Sequence, residues 1–340
     1  MELLHIHKDT WAAVGATALI PFYRLTDTDI ILLDTGIAAS DREGLTALLE
    51  EHGLRPKGIL CSHAHYDHVG NAAYLRRRYG CPIAMPMIEA AICADATAFR
   101  ANYETLTYGT IQSMFPEECF LSDVLISPDI DHLDFCGVRF GLLPLPGHSA
   151  GQMGFITPDG TAYLADCLLG PEQLQRFKLP TIMHIARDLT VMESLRSLRC
   201  PAYVLAHKTS VTELGPVIDA NIAAIHDKGR RLLSCLTDGM TADQWLYAYC
   251  RQEGIHTHDP FRISVTQRNF LHLSNWLVDE GQVALYHDLC VSRYSKCEPV
   301  TVGSFVFIVR NGHTGGGSIH CPLPCFFFRQ FRFFNPPAAL

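Results

Sequence analysis

A chain of 340 residues, 48% hydrophobic and 18% charged, carries enough apolar side chain for one large folded domain and a smaller second one. Its formal net charge of −8 disfavours nucleic acid or an anionic membrane as the main partner, since both reward a basic surface. No stretch approaches the ~18 uninterrupted apolar residues that a membrane-spanning helix requires.

The N-terminus, from Met1 to Asp9, has an acid at position 2 and no basic segment leading into an apolar run, so no secretory signal is read there. The 13 cysteines are odd in number and scattered, as expected for reduced, buried thiols in a cytoplasmic protein. Asp29 to Asp34 is a short apolar run closed by Thr35-Gly36, the pattern of a buried strand. Leu45, Leu48 and Leu49 fall at helical spacing within 41–52. A strand over 57–61 then delivers the chain into a dense group of histidines. A helix is expected over 70–78 and a strand over 81–85. Residues 87–127 differ: 88–99 and 103–115 are helical in composition, and the segment reads as an inserted helical cap. Strands resume at 138–144, 153–157, 161–165 and 202–206, with helices over 188–198 and 213–235. Short strands interleaved with helices predict α/β layers around a sheet core.

From about residue 240 the strand pattern stops. Thr241 offers a polar N-cap to one helix, and 264–279 forms a second with Phe270, Leu273, Trp276 and Leu277 on one face. Asp279-Glu-Gly281 ends it, and 283–286 reads as a small strand. This is expected to be a small helical, winged-helix-like domain over 236–292. Residues 230–290 hold five Arg, no Lys and seven Asp or Glu, a balance of −2 that favours scaffolding or homodimerisation over DNA reading. The remainder, 293–340, is atypical. Residues 301–340 hold eight of the 18 Phe, three Arg, no acid and a Gly-Gly-Gly run at 315–317, which reads as a poorly packed tail. His320, Cys321 and Cys325 do not have the spacing of a zinc ribbon. The expected catalytic domain is therefore 1–235.

The chemistry concentrates in residues 61–70, where His63, His65, Asp67 and His68 make an H-x-H-x-D-H cluster. Three imidazoles and a carboxylate within six residues are the ligand mix of a borderline-soft divalent ion such as zinc. Downstream, His148, Asp166 and His207 each follow an apolar strand, so their loops can meet at one sheet edge. Singly, His148 or His207 would read as a structural histidine, and Asp166 as a turn or cap residue. Together with the cluster they read as ligands, because a buried carboxylate and several imidazoles would be stranded without a cation. Gly70, Gly147 and Gly151 suit the tight loops around them. Cys61 and Cys167, beside two of these loops, read as strand-end packing residues. Phe99, Tyr103, Tyr108 and Phe115 could form a lid over a small substrate or simply hold the 87–127 segment together. Arg176, Lys178, His184 and Lys208 lie near the ligand loops and offer either an anion site or solvated surface charge.

Leu33-Asp-Thr-Gly36, Ser62-His-Ala-His-Tyr-Asp-His68, Leu145-Pro-Gly-His-Ser149, Tyr163-Leu-Ala-Asp166 and Ala206-His207 resemble the metallo-β-lactamase fold superfamily, over about residues 10–230. The resemblance implies a four-layer αββα sandwich with its metals at one edge of the two sheets. It assigns His63, His65 and His148 to a first metal and Asp67, His68 and His207 to a second. Asp166 would bridge them, and Asp34 would tie the loops together behind the ligands. Two divalent ions are implied, zinc foremost, although the same ligands accept iron or manganese. The implied activity is hydrolysis of a small ester, thioester or lactone, in the manner of glyoxalase-II-like and lactonase-like members. A hydroxide shared by two metals would attack, oriented by Asp67 or Asp166. The alternatives are a phosphodiesterase or nuclease of the same fold, or a metal-binding regulatory protein without turnover. His65 stands where the flavodiiron branch has Glu, which counts against redox chemistry. The missing secretory signal counts against β-lactam hydrolysis.

Overall fold

The computed structural model describes residues 1–103, 105–302 and 305–309, with side chains described through residue 297. The Phe-rich stretch beyond 309, including His320, Cys321 and Cys325, lies outside the described residues.

The first sheet has seven strands in sequence order. They are β1 (Glu2–His7), β2 (Thr10–Val14), β3 (Leu19–Arg24), β4 (Asp29–Leu33), β5 (Arg55–Leu60), β6 (Ile83–Pro86) and β7 (Val124–Ile126). β1 to β4 form an antiparallel meander, and β4 to β7 run parallel. Parallel neighbours need crossovers. Helix α1 (Ala38–Glu51) connects β4 to β5, and α2 (Tyr66–Val69) with α3 (Ala72–Tyr79) connects β5 to β6. The last crossover contains α4 (Met87–Cys93), α5 (Ala96–Phe99), a 3-10 turn over Arg100–Tyr103 and α6 (Tyr108–Met114). The segment expected to be an inserted cap is thus a helical crossover, and its last residues enter β7. At three residues, β7 is too short to show a period of two.

The second sheet has six strands: β8 (His132–Phe135), β9 (Val138–Pro144), β10 (Met153–Ile156), β11 (Ala162–Tyr163), β12 (Tyr203–Leu205) and β13 (Thr209–Val211). All its pairings are antiparallel except β11 with β12. The chain between β11 and β12 carries α7 (Pro171–Arg176) and α8 (Ile185–Ser194), and α9 (Gly215–Ser234) follows β13.

Strand alternation distributes the apolar residues over three packed layers of side chain. Ile31 and Leu33 of β4 face Phe140, Leu142, Phe155 and Val204 in the core between the sheets. Ile30 and Leu32 face the other way, onto Leu45, Leu48 and Leu49 of α1. Leu164 and Leu205 pack outward against Ile218, Ile225 and Leu232 of α9. The result is helix, sheet, sheet, helix, as the α/β sandwich expectation requires. It also explains why β4 reads as an unbroken apolar run: it is covered on both faces.

The C-terminal helices are α10 (Ala242–Glu253) and α11 (Pro260–Asp279). Thr241 caps α10 in a reciprocal box with Gln244. α11 starts four residues earlier than composition suggested: Asp259 accepts from the Phe261 N–H, and Pro260 takes the first helical position, where a missing N–H costs nothing. Trp245 is fully buried, donates its indole N–H to the Leu232 carbonyl at 2.8 Å, and packs edge-on against Phe270. A hairpin of β14 (Val283–Asp288) and β15 (Val291–Lys296) follows, and β16 (Glu298–Val302) pairs with β17 (Phe305–Val309). The boundary expected at 292/293 falls inside β15, whose Tyr294 packs beside Trp245. Among the described residues no helix is long and apolar enough to cross a membrane.

Candidate metal centre

The ligand residues named from sequence all follow strands that end at the same edge of the two sheets, on loops except for Asp67 and His68, which lie in the short helix α2. His63, His65, Asp67 and His68 follow β5, His148 follows β9, Asp166 follows β11, and His207 follows β12. Several of these turns require unusual backbone. Asp34, Ala165 and Lys208 have φ of +63°, +48° and +58°, each within or beside a site residue. Gly147 has φ +155°, and a Cβ there would lie 2.5 Å from the Asp188 backbone, so only glycine lets this loop bring in His148.

The side chains gather into two adjoining groups, His63 with His65 and His148, and Asp67 with His68, Asp166 and His207. Within each, one ligand atom per residue lies within 4.8 Å of the others. In the first, His65 Nδ1 is 2.9 Å from His63 Nε2 and 2.8 Å from His148 Nε2. In the second, Asp166 Oδ2 is 3.1 Å from His207 Nε2, and Oδ1 is 3.3 Å from His68 Nε2. Asp166 Oδ2 also lies 3.5 Å from His148 Nε2, so this carboxylate touches both groups. Asp67 completes this group, with Oδ2 3.9 Å from His68 Nε2.

Hydrogen bonds behind the ligands fix which nitrogen faces inward. Asp34 accepts from Ser62 N–H and Ser62 Oγ at 2.6 Å, from His68 Nδ1 at 2.7 Å and from Tyr163 OH at 2.5 Å. Ser62 Oγ, having donated to Asp34, accepts from His63 Nδ1 at 2.9 Å. His63 and His68 therefore both present Nε2 to the centre.

A second tie was not legible in the sequence. Glu89 of α4, read there only as helix composition, is fully buried. It accepts from Ala64 N–H at 2.9 Å, Gly151 N–H at 2.6 Å and Ser149 Oγ at 2.8 Å. One carboxylate thus joins the loop of His63 and His65 to the loop of His148. Burial holds its pKa above the usual carboxylate range.

Burial pushes His63 and His65 well below the ordinary imidazole pKa and His148 down to about 4, so the first group is neutral and ready to ligate. The second group differs. The Asp166 carboxylate lifts His207 to about 9. Burial of His68 is outweighed by Asp166 and Asp34, which hold its proton on. A metal entering there must displace protons. Buried His68 Nε2 and Asp166 Oδ1 face each other at 3.3 Å and have no other hydrogen-bond partner among the described residues. Two inward-facing ligand atoms with only each other for a partner, among imidazoles and carboxylates, are what a divalent cation would satisfy, so the residues fit the implied metals.

A cavity of about 360 Å³ opens onto His65, Asp67, His148, Asp166 and His207. Of the cations suggested near the loops, Arg176 lines it, half of an exposed pair with Glu172, while His184 instead caps α8. Arg268 of α11, not anticipated, also lines it and bonds to the Asn102 carbonyl at 2.6 Å. Phe99, Tyr103 and Phe115 pack ring against ring, and Tyr103 and Phe115 also meet Phe261 of α11, so they mainly hold the crossover in place. Tyr103 also lines the cavity, whereas Tyr108 is 45% exposed. Cys61 and Cys167 are buried, and burial raises both thiols well above their usual pKa, as suits packing residues.

The sequence model of the metallo-beta-lactamase superfamily matches residues 21–207. This chain belongs to that superfamily. Similar curated proteins include the hydroxyacylglutathione hydrolase GloC of Haemophilus influenzae, 29% identical over 185 residues, which cover 54% of this chain and 82% of that protein. The probable metallo-hydrolase YqgX of Bacillus subtilis is 25% identical over 156 residues, 46% of this chain and 68% of that one. Among solved structures, the metallo-beta-lactamase family protein TTHA1429 of Thermus thermophilus aligns with TM-score 0.65 at 18% identity, over 85% of this chain and 98% of its own. A beta-lactamase domain protein from Burkholderia ambifaria aligns with TM-score 0.64 at 16% identity, over 87% and 93%. Both alignments reach well beyond the 21–207 core, so the shared fold extends into the C-terminal helices.

Proposed function

We propose that this superfamily member is a hydrolase that holds two divalent ions, zinc foremost, and cleaves a small ester, thioester or lactone. The observation that carries this reading is the convergence of seven ligand side chains into two groups joined by Asp166, at the wall of a mostly apolar cavity. His63, His65 and His148 would hold one ion and Asp67, His68 and His207 the other, with Asp166 between them. Bound there, the ions supply electrophilic activation of a carbonyl and a water acidic enough to attack at neutral pH.

The chain's own residues provide the rest. Asp34 and Glu89 hold the ligand loops in register before substrate arrives. Asp67 lines the cavity and would orient the attacking water. The apolar wall limits competing water. No side-chain nucleophile is needed, and Cys167, which lines the cavity, stays a thiol. The relatives named as hydroxyacylglutathione hydrolases support the thioester member of this set. A phosphodiesterase reading draws on Arg176 and Arg268, the two arginines among the described lining residues.

The test is a panel of thioester, lactone, p-nitrophenyl ester and bis(p-nitrophenyl) phosphate on protein loaded with zinc, iron or manganese. Thioester, ester or lactone turnover that chelation abolishes supports the proposal. Diester turnover alone promotes the phosphodiesterase. No turnover with any metal leaves a metal-binding protein without hydrolysis.

A further inference from the structure

Resting on that hydrolase reading, we infer that the scissile carbonyl carries an unbranched apolar acyl chain, and that helices α7, α8 and α9 form the channel that receives it. The cavity that touches the ligands does not end at them. Its wall continues along Leu169, Leu174, Phe177, Ile182, Met192 and Ile225, which come from the segment after Asp166 and from helices outside the second sheet. Ile182, Met192 and Ile225 belong to the hydrophobic core of that layer, so the cavity is a gap in a core and not a surface dimple.

Two lining residues beside the ligand loops, Asp188 against Gly147 and Gln173 against Gly170, keep buried oxygens without a partner among the described residues, whereas other polar groups of this wall are committed elsewhere. The Asn221 side chain accepts from Leu169 N–H and donates to the carbonyls of Leu169 and Val217. Thr181 Oγ1 accepts from Asn269 Nδ2 at 3.0 Å. Arg176, 77% exposed and paired with Glu172, sits toward solvent. Beyond Gln173 and Asp188, a polar substituent entering the channel would lose its water and find few partners, whereas methylenes would lose nothing. The volume suits a short to medium chain: the whole cavity, ligand end included, is about 360 Å³, which at the ~30 Å³ share of one water-sized group holds about a dozen non-hydrogen atoms of substrate.

Buried methylenes give a graded response. With p-nitrophenol as the constant leaving group, kcat/KM is expected to rise about fourfold per methylene from acetate upward until the channel is full, then fall. Leu174 is half-buried on a short helix, so Leu174→Trp can fill the channel from its rim. This variant should lower the octanoate-to-acetate ratio of kcat/KM at least tenfold, and Leu174→Ala should move the optimum to longer chains. If Leu174→Trp does not fold, Leu174→Ala decides. In parallel, calorimetry with free octanoate and butyrate needs no turnover. Octanoate should bind at least tenfold more tightly, with a negative heat-capacity change. A flat chain-length profile, or equal affinities for the two acids, overturns the inference while leaving the hydrolase reading intact. Failure to hydrolyse any ester, together with tight octanoate binding, overturns the hydrolase reading and leaves the channel standing.

Discussion

Replacing Asp34 by Asn should weaken folding and metal binding together, because no orientation of an amide satisfies what surrounds this carboxylate. Oδ1 accepts from the Ser62 main-chain N–H at 2.6 Å, a donor that cannot turn away. Oδ2 accepts from Ser62 Oγ, His68 Nδ1 and Tyr163 OH. With the amide nitrogen in the first position, two donors face each other in a buried site. With it in the second, His68 must give up its Nδ1 proton and keep only one on Nε2, the atom turned toward the centre, while Ser62 and Tyr163 both reverse. Charge-assisted hydrogen bonds contribute about 1.5–3 kcal/mol each, and an unsatisfied buried donor costs about 1–3 kcal/mol. The expected loss is about 3 kcal/mol in the metal-free protein, beyond the ~10–100-fold weaker metal binding typical of losing such a partner. Urea denaturation of chelated protein measures the first effect, and competition against a metal-binding dye the second. Tyr163→Phe is the internal control: it removes one donor but leaves the His68 tautomer alone, so it should cost about 1 kcal/mol with little effect on metal affinity. If Asp34→Asn matches the wild type in both measurements, the tautomer-setting role assigned to Asp34 is wrong.

Other substitutions probe other parts of the same frame. Glu89→Gln should cost about 2–4 kcal/mol in denaturant unfolding, because its amide nitrogen must face either the Ala64 or the Gly151 N–H. Unchanged stability would mean that the two loops are held by something else. Gly147→Ala puts a Cβ 2.5 Å from the Asp188 backbone, so His148 should be displaced and metal content should fall by about one ion per chain. Full metal content in that variant would argue that His148 is not a ligand. Burial raises the Glu118 carboxyl from 4.5 to about 7. The folded state therefore keeps a proton that the unfolded chain loses near pH 4.5, and stability should fall as pH rises from about 4.5 to 7. Glu118→Gln should remove about 2 kcal/mol of that fall, read from unfolding midpoints across the range; parallel pH profiles would contradict it.

The ligands were legible because their chemistry is local. Four lie within six residues, and each of the others directly follows an apolar run, so pattern and composition coincide. The frame that orients them was less so. Asp34 was reached through a resemblance, and nothing in the sequence around Glu89 marks it, since its role exists only once α4 crosses behind two loops. Arg268 is equally silent, because it reaches the cavity from a helix more than a hundred residues downstream of His148. Among strands, β4 and β9 were readable from their apolar runs. β2 is alanine-rich, β3 contains Pro21, and β7, β8 and β13 span three or four residues, so tertiary pairing decided them where periodicity could not. The Asp259-Pro260 start of α11 was readable in principle, as a cap followed by proline at the first helical position.

Metal stoichiometry tests the central claim most directly. Elemental analysis of the purified protein, after dialysis against metal-free buffer and reconstitution with a slight excess of zinc, should give close to two ions per chain. A value near zero, with the protein folded, would contradict the assignment of the seven converging side chains as a two-metal centre.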